Sequence, residues 1–89
     1  MTGIFSDNAK ENRFEYKVGD HIAYADYRRE GKTLFIDYVF SPDELRGTGA
    51  AGKLMQLIVE AAQKDGSNIV PICGYAVSWL RKNQKPPTP

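Results

Sequence analysis

The sequence has little cysteine, little histidine and no long apolar run. Cys73 is the only cysteine in 89 residues, so no internal disulfide can form, and this favours a reducing compartment such as the cytoplasm. No stretch approaches the roughly 20 apolar residues that a membrane-spanning helix needs, so no membrane partner is expected. Residues 1–8 lack both a basic segment and an apolar run, which predicts that they are not a signal peptide.

Charge of one sign is also scarce, since the formal net charge is only +1. This balance argues against nucleic acid as the main partner. No metal site is predicted. The length predicts one domain over residues 1–89, a monomer or weak dimer, in which residues 1–10 and 84–89 are flexible. A hydrophobic content of 42% is ordinary for a globular chain and argues against disorder.

Three segments in the first half carry the pattern of strands. Arg13–Val18 alternates polar and apolar residues, Ile22–Arg28 is rich in small and aromatic residues, and Thr33–Phe40 is nearly all β-branched or aromatic. Ser6–Asn12 is polar and is predicted to be loose. Because only short turns separate the three strands, they predict an antiparallel meander.

The second half changes to helical spacing from about Gly49, and Gly66 is a predicted helix stop. A fourth strand follows over Asn68–Cys73 and a second helix over Ala76–Asn83. Pro71 cannot donate a ladder hydrogen bond, so this strand lies at an edge or opens from its neighbour there. The predicted order is β-β-β-α-β-α, a mixed α+β fold. The strands that flank the first helix are expected to be parallel neighbours.

The helix follows the segment Arg46–Gly52, which reads Arg-Gly-Thr-Gly-Ala-Ala-Gly. Small residues let a ligand approach the backbone closely. The first N–H groups of a helix have no internal partners, and the helix dipole places partial positive charge there. Phosphate is the usual guest at such a site, and Arg46 adds a positive charge at its mouth. The segment therefore predicts a phosphate-bearing ligand.

The segment has two other possible interpretations. It could be only a tight turn that lets the helix pack close to the sheet. It also matches the Gly-x-Gly-x-x-Gly pattern of dinucleotide-binding domains. That pattern should follow a strand directly, whereas Ser41–Leu45 intervenes before Arg46, and no acidic residue ends the next strand at Ile72–Gly74. The dinucleotide site is therefore rejected.

The run Arg46-x-x-Gly49-x-Ala51 resembles the acyl-CoA signature of the GCN5-related N-acetyltransferases (GNATs). From about Glu11 to Asn83 the chain is similar to a very short subfamily, the YjdJ-type acetyltransferases. The residues that carry this second resemblance are Glu11-Asn12-Arg13-Phe14, Ala25-Asp26-Tyr27-Arg28, Glu44-Leu45-Arg46-Gly47-x-Gly49, Lys53-Leu54 and Pro71-x-Cys73-x-Tyr75.

The resemblance implies a minimal GNAT fold, in which the meander joins a parallel strand pair that splays around a cleft for acetyl-CoA. It implies that the backbone of Val39 and Phe40 pairs with the pantetheine arm of acetyl-CoA. The residues implied to hold the pyrophosphate are Arg46, Gly47, Thr48, Gly49, Ala50 and Ala51.

The resemblance also implies transfer of the acetyl group to an amine, on a small molecule or on a protein lysine or N-terminus. Tyr75 is the candidate acid for the leaving thiolate, and Cys73 is either an acyl-accepting nucleophile or a residue lining the channel. Asp37, Glu44 or a water chain is the candidate base. Many subfamily members carry His-Thr where this chain has Tyr38-Val39, so the alternative function is a non-catalytic module that binds or senses acyl-CoA.

Overall fold

The computed structural model describes residues 3–83, which form one five-stranded sheet with two helices on one of its faces. A short 3₁₀ turn, Asp43–Leu45, lies between the fourth strand and the first helix. The elements follow the order β1 (Ile4–Asn8), β2 (Arg13–Val18), β3 (His21–Glu30), β4 (Thr33–Phe40), α1 (Ala50–Asp65), β5 (Asn68–Pro71) and α2 (Gly74–Asn83).

The strands lie side by side in chain order, β1-β2-β3-β4-β5. β1 to β4 form an antiparallel meander, and the β2–β3 and β3–β4 turns contain Gly19 (φ 61°) and Gly31 (φ 60°) in the left-handed region. β5 returns parallel to β4, from Thr33 opposite Asn68 to Ile36 opposite Pro71. The parallel pair around the crossover helix is therefore as predicted.

The predicted element order lacks β1. The prediction that residues 6–12 are loose is wrong for residues 6–8, which belong to this strand. Tertiary contacts hold this polar segment in the sheet: Phe5 stacks on Phe14, with ring centroids 5.7 Å apart, and the Tyr27 hydroxyl donates a hydrogen bond of 2.6 Å to Asp7 Oδ1. Local sequence does not reveal these partners, because Tyr27 lies on a different strand. The flexibility predicted for residues 84–89 lies outside the described residues.

A few of the other strands and helices begin or end about two residues away from the predicted positions. β3 runs from His21 to Glu30 rather than over Ile22–Arg28. β5 ends at Pro71 rather than Cys73, and α2 already begins at Gly74. The changes at the end of β5 and the start of α2 have one cause, because Ile72 and Cys73 both bond to the carbonyl of Ile36 and the chain then turns directly into the helix.

The core lies between the sheet and the two helices. Alternate residues of β2, β3 and β4 point into it, and α1 and α2 cover them. α1 lies between two left-handed glycines, Gly49 (φ 83°) and Gly66 (φ 74°). The largest fully buried side chains are Leu34, Ile36, Leu54, Met55 and Ile58.

The opposite face of the sheet, called the open face below, carries no helix within residues 3–83. Tyr24 of β3 contacts Phe40 and Tyr38 of β4, with ring centroids 5.1 and 6.5 Å apart. The Arg13 guanidinium lies 4.6 Å above the centre of the Tyr24 ring. The open face therefore presents aromatic rings beside charged groups. Neither α1 nor α2 is long and apolar enough to cross a membrane.

The hydrogen bond from Tyr27 to Asp7 predicts how firmly β1 is attached. Tyr27→Phe keeps the buried ring but removes the hydroxyl that bonds to a carboxylate, so the free energy of unfolding should fall by about 1–2 kcal/mol. Urea denaturation measures this loss of stability. Amide hydrogen exchange in Tyr27→Phe, compared with the wild type, should be accelerated more in β1 than in α1. Tyr24→Phe, on the open face, is the matched control and should change stability little; equal effects of the two variants would contradict the prediction.

Candidate functional site

The site begins where β5 leaves β4. The carbonyl of Ile36 accepts hydrogen bonds from the N–H groups of Ile72 (2.9 Å) and Cys73 (3.2 Å), and the chain then enters α2. The N–H groups of Asn68 and Ile72 face β4, so the nitrogen of Pro71 between them faces the outer edge of the sheet, where a proline removes no hydrogen bond. Within residues 3–83, no strand pairs with this edge of β4 beyond Ile36, so the end of β4 borders a gap.

A cleft of about 370 Å³ lies between this gap and the beginning of α1. The end of β4, the loop after it, the first turn of α1 and the beginning of α2 form its walls. Its lining residues are Val39, Ser41, Leu45, Arg46, Gly47, Gly49, Ala51, Gly52 and Tyr75.

The loop at the entrance to α1 is held by its own hydrogen bonds. The Thr48 hydroxyl donates to the carbonyl of Leu45 and accepts from the N–H of Ala50 at 3.3 Å. Gly47 (φ 78°) and Gly49 (φ 83°) on either side of it are both left-handed, and an added Cβ on either would meet nothing within 4 Å. Backbone conformation, rather than crowding, therefore explains why glycine occupies both positions.

Four backbone N–H groups are left free by this arrangement. Within residues 3–83, those of Gly47, Gly49, Ala51 and Gly52 have no hydrogen-bond partner, and all four residues line the cleft. Alternating left-handed residues at a helix N-terminus produce a concave group of donors that suits an anion. Arg46 lies at the rim, where its guanidinium is exposed and 3.2 Å from Asp43.

Gly52 also lets α2 approach α1. A Cβ added there would lie 3.4 Å from Trp79 Nε1 and 3.9 Å from the Tyr75 hydroxyl oxygen. The Tyr75 side chain therefore reaches across the cleft toward the first turn of α1. Burial raises the pKa of Tyr75, because ionisation of the phenol would be less well solvated.

The model of the family described as GCN5-related N-acetyl-transferase matches residues 13–86, which is most of the chain and includes the whole cleft. The chain belongs to the GCN5-related N-acetyltransferase family. No curated protein is significantly similar to it in sequence. Membership of the GNAT family indicates acetyltransferase activity in general, and family members use acetyl-CoA and act on amines.

The positions that sequence reasoning assigned to the GNAT site fall into two groups. Val39, Arg46, Gly47, Gly49, Ala51 and Tyr75 line the cleft. The other four do not line it: Phe40 places its ring on the open face, Thr48 braces the loop, Ala50 is buried in the core, and Cys73 lies just before α2. Ser41, Leu45 and Gly52 line the cleft but were missed, although the proline-containing break at residues 41–45 and the third glycine of the run marked them.

Cys73 lies at the position that precedes α2, where its carbonyl accepts from the Val77 N–H at 3.0 Å. The thiol is partly buried. Burial raises the pKa of the Cys73 thiol. The nearby backbone N–H groups of Ala76, Val39 and Tyr75 favour the thiolate and lower the pKa by more, so the net shift is downward. Because Val39 also lines the cleft, the sulfur lies next to the gap between β4 and β5.

Neither acidic residue suggested as the base is available at the cleft. Asp37 accepts two hydrogen bonds from Arg28, of 2.8 and 3.1 Å, so its charge is compensated. Glu44 has a 60% exposed side chain and lies 3.9 Å from His21.

The buried Ser41 hydroxyl lacks a hydrogen-bond partner within the described residues. Residues 3–83 contain no cluster of three or more His, Cys, Asp or Glu that could hold a metal ion.

The lowered pKa of Cys73 predicts how its reaction with iodoacetamide depends on pH. Only the thiolate reacts, so the rate in the folded protein should reach half its maximum at a lower pH than for a free cysteine, which has a pKa of about 8.5. The same chain unfolded in urea is the control, since it keeps the cysteine but loses the directed N–H groups. An equal midpoint in the folded and unfolded protein would contradict the assignment.

Proposed function

We propose that this protein is an acetyl-CoA-dependent N-acetyltransferase that binds acetyl-CoA in the cleft and transfers the acetyl group to an amine. The observation that carries the proposal is the group of four free N–H donors at the beginning of α1. They lie at the end of a cleft that is continuous with the unpaired edge of β4. Family membership supports the reaction class.

The donors of Gly47, Gly49, Ala51 and Gly52 bind the pyrophosphate, and Arg46 attracts it from the rim. The free edge of β4 at Val39 and Phe40 offers backbone groups to the amides of the pantetheine arm, as an additional strand would. This edge is free because β5 ends at Pro71. Ser41 lines the same wall of the cleft, and its buried hydroxyl has no hydrogen-bond partner within residues 3–83.

Acetyl-CoA supplies an acetyl thioester, and transfer requires a nucleophile, stabilisation of the oxyanion and a proton for the departing sulfur. Tyr75 donates that proton, because a phenol is protonated at neutral pH and its hydroxyl reaches across the cleft. Cys73 is the nucleophile, since its backbone surroundings favour the thiolate.

The proposed reaction has two steps. The Cys73 thiolate attacks the thioester carbon, a new carbon–sulfur bond forms, and the bond to the departing sulfur breaks while Tyr75 gives up its proton. The acceptor amine, in its neutral form, then attacks the S-acetyl group, loses a proton to water or to the Tyr75 phenolate, and regenerates the Cys73 thiolate. No residue beyond these two is required for the proton balance.

Binding of acetyl-CoA is tested with a pair of variants at Ala51, which lines the cleft in the first turn of α1. Ala51→Glu places a negative charge among the anion donors, whereas Ala51→Gln adds the same bulk without the charge. Calorimetry should give a Kd for acetyl-CoA that is about tenfold or more weaker for the Glu variant than for the Gln variant. In the free protein the Glu variant should be as stable or more stable, because a carboxylate at a helix N-terminus is favourable by about 0.3–1 kcal/mol.

Backbone amide shifts locate the bound ligand independently of these variants. Acetyl-CoA should perturb the amides of residues 47–52 first. If the signals of those amides do not shift, or if the two Ala51 variants bind acetyl-CoA with equal Kd, the proposed binding mode is incorrect.

The chemistry is tested by incubating the protein with acetyl-CoA alone. S-acetylated Cys73 should accumulate and be found by mass spectrometry of peptides. With an amine present, Cys73→Ala should abolish most CoA release, and Tyr75→Phe should lower kcat about 100-fold while changing the Kd of acetyl-CoA little.

Three other results would change the assignment. Full turnover by Cys73→Ala with an unmodified wild-type cysteine would indicate direct transfer to the amine. A loss of acetyl-CoA affinity in Tyr75→Phe would place the hydroxyl on the phosphates, near Gly52. Tight binding without turnover for any amine would indicate a non-catalytic acyl-CoA-binding module.

A further inference from the structure

The gap between β4 and β5 has two sides, and the proposed acetyl-CoA site uses only one. The cleft lies on the side of the sheet that the helices cover, since α1 and α2 form two of its walls. On the open face, the same gap is bordered by residues of β4 on one side and by the residues after β5 on the other. An acceptor that approaches from the open face would not meet the bound acetyl-CoA on its way.

The border of the gap on the open face is apolar and exposed. Tyr38 and Phe40 of β4 are 49% and 37% exposed, and Ile72 after β5 is 53% exposed; Val70, which is paired with Phe35 just before the gap, is 37% exposed. Alternation along the strands places the first two on the open face, because Val39 between them packs on the core. These four residues are called the apolar patch below. Exposed apolar side chains in a contiguous group mark an interaction surface more often than isolated ones do.

Most charges around the apolar patch are paired. Arg28 bonds to Asp37, and Arg13 bonds to Glu15 at 2.8 Å, whereas Asp26, opposite Tyr38, forms no ion pair within residues 3–83, so one carboxylate is in excess beside the patch. Nucleic acid and strongly acidic segments would find no complementary charge there, and a strongly basic segment would find only this one carboxylate. Recognition at this surface therefore depends on apolar and aromatic contact.

The patch extends over β4 and the neighbouring β5, and Tyr24 of β3 continues it through contacts with Phe40 and Tyr38. Three adjacent strands span about 10 Å across the sheet. That area is more than a small amine covers and is suited to several consecutive side chains of a polypeptide.

We propose that the apolar patch binds the acceptor, and that the acceptor is a protein amine flanked by apolar side chains. The inference rests on the proposed acetyl transfer and names the substrate class of that site. The flanking side chains lie on Tyr38, Phe40 and Ile72, and the amine enters the gap toward Cys73. The surface is continuous with the cleft through Val39, which lines the cleft and separates the two aromatic residues in sequence.

The test uses two acetylatable peptides that differ only in the residues beside a single lysine, apolar in one and serine in the other. The wild-type protein should acetylate the apolar peptide with a kcat/KM about tenfold or more higher. Tyr38→Ser and Ile72→Ser should each reduce this preference about fivefold, mainly through KM, and leave the Kd of acetyl-CoA unchanged. Ile4→Ser is the matched control, because Ile4 is 70% exposed and lies on β1 at the other edge of the sheet.

A binding measurement keeps this inference separate from the proposed activity. Titration of the protein with the apolar peptide, without acetyl-CoA, should shift the amides of residues 38–40 and 70–72 in the wild type and in Ile4→Ser. Shifts at those amides support the acceptor surface even if no acetyl group is transferred. No shifts there, an absence of preference between the two peptides, or equal effects of Ile72→Ser and Ile4→Ser would overturn it.

Discussion

The carbonyl of Ile36 accepts hydrogen bonds from both Ile72 and Cys73, and this shared acceptor ends the pairing of β4 with β5 and opens the gap beside the candidate site. The chain after Pro71 bonds to β4 at this last carbonyl and then turns into α2. β4 continues for four more residues without β5 beside it. The unpaired stretch gives the cleft its floor, brings Cys73 next to the edge of β4, and leaves backbone groups free to bind a ligand.

The two ends of α1 are used differently. Its C-terminal end is attached to the sheet, because Arg29 of β3 donates a hydrogen bond of 3.0 Å to Asp65, and Ser67 donates one of 2.9 Å to the same carboxylate. Hydrogen bonding from Ser67, with the nearby charge of Arg29, lowers the pKa of Asp65. At the N-terminal end the donors face the cleft instead. The helix is thus fixed at one end and available for an anion at the other.

The strands of the meander, the crossover helix and the parallel pair could be predicted from sequence because each depends on local signals: alternation, helical spacing and glycine stops. β1 could not, since its place in the sheet depends on Phe14 and Tyr27, which belong to other strands. In the site, the glycine run predicted the anion donors. It did not predict that Ala50 would be buried, that Phe40 would turn to the open face, or that Arg28 would bond to Asp37, because these depend on register and on a β-bulge between β3 and β4.

Thr48 makes the glycine loop more rigid than its glycine content suggests. Its hydroxyl bridges the loop from the carbonyl of Leu45 to the N–H of Ala50. Thr48 is therefore held by two hydrogen bonds, with Gly47 on one side of it and Gly49 on the other. The donors hold their concave arrangement before any anion arrives. The proposed pyrophosphate would therefore order little of the chain on binding, so more of its interaction energy would remain as affinity.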